Sequence, residues 1–189
     1  MSFFVMAQET IKRKEIGLVF RSLDDFGLTF RTGTDKSLWR FNTLFISGGT
    51  YDQVADSSAN KNSNAGFGIQ LGREYRKVIV ENLELRLGVD ISFSYSKVKS
   101  EYDDKTVNDY DRINERTTYI QGINLVFGLN YVLNEKMVIG AEILPNFSYT
   151  TGTSVEKNLY TYYEVKSDIS GFSYGLFNHS ALLSLAYRF

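Results

Sequence analysis

Residues 83–95 read Leu83-Glu84-Leu85-Arg86-Leu87-Gly88-Val89-Asp90-Ile91-Ser92-Phe93-Ser94-Tyr95. Every odd position is apolar or aromatic, and every even position is charged, polar or glycine. A strand sends successive side chains to opposite faces, so this stretch has one greasy face and one polar face; a helix would scatter the same residues around its circumference. Thirteen residues of unbroken alternation also exceed the usual strand of about 5–6 residues. The segment is a long, two-faced strand.

The pattern repeats along the chain. Phe67, Ile69 and Leu71 oppose Gly68, Gln70 and Glu74; Ile123, Leu125, Phe127, Leu129 and Tyr131 oppose Gly122, Asn124, Gly128 and Asn130, with Val126 out of phase. Met137, Ile139, Ala141, Ile143, Phe147 and Tyr149 oppose Gly140, Glu142, Asn146 and Ser148, with Leu144 on the polar side. Ala181, Leu183, Leu185, Tyr187 and Phe189 oppose Ser180, Ser184, Ala186 and Arg188. Ile16, Leu18 and Phe20 form a further run, as do Leu28 and Phe30. Residues 38–51 are irregular: Trp39, Phe41 and Phe45 share one face, but Leu44 and Ile46 fall with Arg40 and Asn42. Eight strands are expected.

Composition narrows the class. The 21 basic and 22 acidic residues leave a net charge of −1, which offers no basic field for nucleic acid. No run of 18 apolar residues exists, so no helix of the chain can cross a bilayer. With no Cys and one His, thiolate zinc sites, disulfides and multi-histidine metal clusters are excluded, and neither a metal nor a cofactor is expected. Thirteen Tyr and 14 Phe against a single Pro suit long strands.

Connections alternate in length. Residues 34–37, 77–82 and 134–136 are short, whereas residues 52–64, 98–117 and 152–171 are long, polar and read as loops; only residues 23–26 make a tight turn at the long-loop end. Up-and-down threading with short turns at one end and long loops at the other is the layout of a membrane barrel, whose closed ring satisfies every backbone polar group as lipid demands. The expected fold is all-β, a transmembrane eight-stranded antiparallel up-and-down β-barrel over residues 8–189. Residues 1–7, Met-Ser-Phe-Phe-Val-Met-Ala, read as the remnant of a signal peptide, with Val5 and Ala7 at acceptable −3 and −1 positions. Aromatic belts are expected from Trp39, Tyr75, Tyr131, Tyr187 and Phe189 at the short-turn end, and from Tyr51, Tyr95, Tyr119, Tyr149 and Phe172 at the other.

From Lys14 to Phe189 the chain resembles the small eight-stranded outer-membrane barrels of the OmpA and OmpX type. The last strand carries the most specific likeness, with Ala181, Leu183, Leu185 and Tyr187 leading to a terminal Phe189. Glu15-Ile16-Gly17-Leu18 and Phe26-Gly27-Leu28 are also similar to small outer-membrane proteins of Bacteroidetes. The resemblance implies a porin-like Gram-negative cell-surface protein in the bacterial outer membrane. Its partners would be outer-membrane lipids and lipopolysaccharide, and the barrel assembly machinery would read Tyr187 and Phe189 during insertion.

With the apolar parity toward lipid, the polar parity faces a bore that eight strands leave just wide enough for side chains. Arg40, Glu74, Arg76, Glu84, Arg86, Asp90, Glu142 and Arg188 are then expected to form a salt-bridged interior network, with Glu15, Arg21 and Arg31 also inward. Such a network packs the bore; a conducting channel is the rival. His179 and Ser180 invite a second rival, an outer-membrane enzyme acting on lipid A, with Glu164 and Ser173 as third members; adjacent strand residues face opposite ways, which argues against it. Asp103, Asp104, Asp109 and Asp111 lack the spacing and the glycine of a calcium loop. Tyr160, Tyr162 and Tyr163 are candidate contacts for an extracellular protein or glycan. A soluble lipocalin-like barrel would invert the faces, turning the apolar side onto a ligand. The reading adopted is a structural or surface-binding barrel without catalysis.

Overall fold

The computed structural model describes residues 12–22, 26–104, 110–159, 161–176 and 180–189; residues 1–7, expected to be a signal-peptide remnant, lie outside them. The strands are β1 (Lys12–Phe20), β2 (Phe26–Thr34), β3 (Ser37–Val54), β4 (Ser58–Val80), β5 (Leu83–Asp104), β6 (Tyr110–Leu133), β7 (Met137–Ile143), β8 (Asn146–Asn158), β9 (Tyr163–Gly175) and β10 (Ala181–Arg188). All pairings are antiparallel. β1 through β7 pair in succession and β10 pairs with both β7 and β1, closing a ring of eight. At the seam, Lys14 and Phe189 exchange backbone hydrogen bonds of 3.1 and 2.9 Å.

Ten segments make eight barrel strands because two are broken at one level. β7 and β8 both pair with β6 and are separated at Leu144 and Pro145. Proline has no N–H for the ladder, but its carbonyl still accepts from the Leu125 amide at 2.9 Å. Below the break β10 lies against β7, and above it β9 lies against β8.

The long polar stretches are not loops, contrary to the sequence reading. β3 and β4 stay in register to Val54↔Ala59, β5 and β6 to Asp104↔Tyr110, and β8 and β9 to Asn158↔Tyr163. Only the backbone ladder and cross-strand pairs hold these ends together, so alternation of hydrophobicity could not betray them. β1 and β2 stop at Phe20 and Phe26. Six strands, in the order β3-β4-β5-β6-β8-β9, therefore rise beyond the ring as a sheet.

A bulge explains the irregular third strand. Thr43 opposes Ile69 and Phe45 opposes Gly68, so Leu44 is an extra residue and the parity flips above it. Ile46 consequently faces outward with 82% exposure, opposite Phe67.

The face assignment is direct. Leu87, Val89, Ile91, Ile123, Phe127, Leu129, Ile139 and Leu185 are exposed on the outside, while Glu84, Arg86, Asp90, Asn124, Asn130 and Glu142 are buried in the bore. A soluble lipocalin-like barrel requires the reverse. The out-of-phase residues have a place: Val126 and Leu144 join Val19 and Leu182 in a buried apolar layer across the bore. Outside, Arg73 lies 5.3 Å from the Trp39 ring centre and 5.9 Å from that of Tyr75, at the short-turn end. Toward the other end Phe67, Tyr95 and Tyr119 follow one another across three strands, with ring centres 6.0 and 5.4 Å apart. Tyr51, expected in that belt, instead opposes Asn62 in the risen sheet.

Candidate functional site

The bore below the apolar layer is filled by ions. Arg76 on β4 binds Glu15 on β1 in bidentate fashion, Nη1 to Oε1 at 2.6 Å and Nη2 to Oε2 at 2.7 Å, and donates from Nε to Glu74 Oε1 at 2.7 Å. Arg40 on β3 makes the same two-pronged contact across the bore with Glu142 on β7, at 2.9 and 2.6 Å. Arg86 links the two sets, donating from Nη2 to Glu74 at 2.7 Å and to Glu142 at 2.6 Å, and from Nη1 to Asn130 Oδ1 at 3.1 Å. Toward the short-turn end Arg188 reaches Glu15 at 2.9 Å and Glu84 at 3.1 Å, and Arg13 reaches Glu84 at 3.1 Å. Arg31 stands 3.4 Å from Glu15 and 3.8 Å from Glu74, and Arg40 Nε 3.3 Å from Asp90.

Planar guanidinium groups suit this arrangement because each presents several donors in a fixed fork to carboxylates on different strands. Isolated charges could not remain buried here; shared partners compensate the loss of water. All eight residues proposed from parity for the interior, Arg40, Glu74, Arg76, Glu84, Arg86, Asp90, Glu142 and Arg188, lie in this cluster, together with Glu15, Arg31 and Arg13. Arg13 precedes the first alternating run, so no pattern flagged it.

Above the ring the chemistry is that of a solvated sheet. Lys157 faces Glu164 at 3.0 Å, Lys97 meets Glu115 at 2.8 Å, and Lys99 pairs with Glu101. The hydrogen bond from Lys97 holds the Glu115 carboxyl below its ordinary range, and Lys99 does the same for Glu101. Tyr162 has a left-handed backbone, φ 52°, at the tip of the β8–β9 hairpin and is 94% exposed. Tyr163 beside it is exposed at the start of β9. Tyr160 lies outside the described residues.

His179 also lies outside them. Its suggested companions are dispersed: Glu164 pairs with Lys157, and Ser173 shares a 2.8 Å hydrogen bond with Ser148. They are nine residues apart on one strand, roughly 30 Å at strand rise, too far to serve one constellation. In the β5–β6 hairpin Asp103 is exposed, while the Asp104, Asp109 and Asp111 side chains lie outside the described residues. At the C-terminus the Tyr187 and Phe189 rings stack with centres 6.5 Å apart.

No curated protein matches the chain. Among solved structures, a major outer membrane protein from Thermus thermophilus is 14% identical with a TM-score of 0.49, covering 94% of this chain and 99% of that one. Ail, the attachment invasion locus protein of Yersinia pestis, is 15% identical with a TM-score of 0.41, covering 96% and 100%. CarO of Acinetobacter baumannii is 11% identical with a TM-score of 0.34, covering 94% and 95%. The sequence profile of the OmpA-OmpF-like porin family matches residues 46–174, about two thirds of the chain. With that match, a closed ring and an apolar belt turned outward, the protein belongs to the OmpA-OmpF-like porin family and is an integral β-barrel of the bacterial outer membrane.

Proposed function

We propose that this barrel neither conducts solutes nor catalyses a reaction, and that it presents the six-stranded sheet above its ring to an extracellular protein or glycan. The observation that carries the reading is the bore itself. Arginines and carboxylates from β1, β2, β3, β4, β5, β7 and β10 meet across it, and the Val19, Val126, Leu144 and Leu182 layer lies above them. Eight strands leave little more than the volume such side chains occupy.

The tip offers Tyr162 and Tyr163, amphipathic rings that add contact area at small entropic cost. Lipids and lipopolysaccharide contact the outward Leu, Ile, Val and Phe side chains, and Tyr187 with Phe189 is the segment the assembly machinery reads. Purified protein in planar bilayers should give no conductance above that of empty membrane. Discrete openings would overturn the closed-barrel reading. Cells whose Tyr162 and Tyr163 are replaced by Ser should lose attachment to host or matrix glycoproteins that the parent retains; equal attachment would remove the tip from the reading. Against the enzyme alternative, His179→Ala should leave lipid A acylation unchanged by mass spectrometry.

A further inference from the structure

Between the apolar layer and the risen sheet the bore opens into a vestibule of about 470 Å³, within the range of small-molecule sites. Its floor is Leu144 and Leu182, and Leu44 and Phe45 on β3 and Ile120 on β6 add apolar surface at two places in the wall. Apart from Arg21 the rest is amide and hydroxyl: Gln70, Asn124, Asn146, Ser92, Ser94, Ser148 and Ser180. Among the described residues no carboxylate lines the space, and Arg21 is the one charged group.

Two polar atoms here have no partner among the described residues. Asn124 is 5% exposed and its Nδ2 donates to nothing, while Asn146 Oδ1 is buried and accepts from nothing. The two residues oppose each other across β6 and β8, so an unused donor and an unused acceptor occur side by side. A buried polar group left in this state is destabilising. The group that answers both is a hydroxyl, which donates and accepts at once. Further carboxamides and serine hydroxyls on neighbouring strands extend the same chemistry, and the Phe45 ring supplies an apolar surface for C–H groups. On the side where β1 and β2 stop at Phe20 and Phe26, β3 continues to Val54, so the strand wall is lower there.

We propose that this vestibule binds a neutral sugar ring, either free or at the end of a glycan. The site is separate from the tyrosine tip and independent of the reading given above for it. The test is titration of the full chain, folded in detergent micelles, with glucose, galactose and N-acetylglucosamine, and separately with lipopolysaccharide, while the side-chain amide signals of Asn124 and Gln70 are followed by NMR. Saturable shifts are expected with at least one of these. Filling the space with Ser94→Trp should weaken them by about tenfold or more, and the milder Ser92→Leu should act in the same direction if the larger change impairs folding. Shifts with free sugar identify the ring alone as sufficient; shifts with lipopolysaccharide only, absent with sugar-free diacyl lipid, identify a glycan end. The proposal fails if no sugar or lipopolysaccharide perturbs the wild-type amides, which would mean that water alone occupies the space. It fails equally if the shifts persist in both filled variants or are reproduced by sugar-free lipid.

Discussion

Arg76 grips Glu15 with both terminal nitrogens, at 2.6 and 2.7 Å, and so ties β4 to β1 across the bore. The sequence separation is 61 residues, and no backbone ladder joins these two strands. Side-chain ions therefore do what the hydrogen-bonded wall cannot: they fix the cross-section from within. Removing one member of a buried pair leaves an uncompensated charge and costs about 3–5 kcal/mol, whereas replacing both by neutral groups costs much less. Arg76→Met should lower unfolding free energy in urea by about that amount, followed by heat-modifiable migration in detergent gels. The Glu15→Gln, Arg76→Gln pair should lose less than the sum of its single variants. Additive losses would show that the two residues act separately.

Space inside the ring is as restricted as charge. A Cβ at Gly72 would overlap Asp90 Oδ1 and the Val89 carbonyl oxygen and approach the Asp90 Cα at 2.6 Å, so backbone as well as side chain stands in the way. Nothing lies within 4 Å of the corresponding position at Gly171, in the risen part of β9. Gly72→Ala should abolish or strongly reduce the yield of heat-modifiable barrel, and Gly171→Ala should leave it within about 0.5 kcal/mol of the parent. Equal yields would remove the steric argument.

Much of this was legible in the sequence, and the reason is physical. A strand buried on one side only must alternate, so the ring, its outward face and the members of the ion cluster follow from parity in residues 83–95 and their like. Three features were hidden. Leu44 broke the pattern of the third strand because one inserted residue exchanges the two faces. The risen hairpins carry polar residues on both sides, so they could not be told from loops. Asn124 and Asn146 read as generic inward polar residues; that they border a cavity depends on which side chains meet across the bore and on β1 and β2 ending early, facts of three-dimensional assembly.

Acid should loosen the risen sheet before the ring. Glu115 and Glu101 hold their carboxyls below the ordinary range through hydrogen bonds from Lys97 and Lys99. A carboxyl whose pKa is lowered on folding contributes stability that is fully present above its unfolded value and is lost as pH falls through the folded one. The window therefore lies below about pH 4, where exposed carboxyls ordinarily titrate. Both groups are only partly buried, so the contribution is small and should shrink further in high salt. Hydrogen exchange, corrected for intrinsic rates, should show lost protection in residues 97–104 and 110–117 on going from neutral pH to pH near 3, with residues 84–92 unchanged. Simultaneous loss in both zones would contradict the sheet's independence.

Depth along a single strand gives the strictest test of membrane placement. Leu125 and Thr117 both lie on β6, eight residues apart and therefore on one face of the strand. Leu125 opposes Val89, between the short-turn aromatics and the Phe67-Tyr95-Tyr119 belt, whereas Thr117 opposes Lys97 and stands two residues beyond Tyr119. Arginine on the lipid face near the midplane of an outer-membrane barrel costs about 2–4 kcal/mol, falling to about 0–1 kcal/mol near the interface. Leu125→Arg should therefore destabilise the barrel in phospholipid vesicles by about 2–4 kcal/mol in guanidinium titrations, while Thr117→Arg should be close to neutral. The difference should narrow in small detergent micelles, where a long arginine side chain reaches water more readily. If both substitutions cost the same in vesicles, the hydrocarbon layer does not lie between the two aromatic belts.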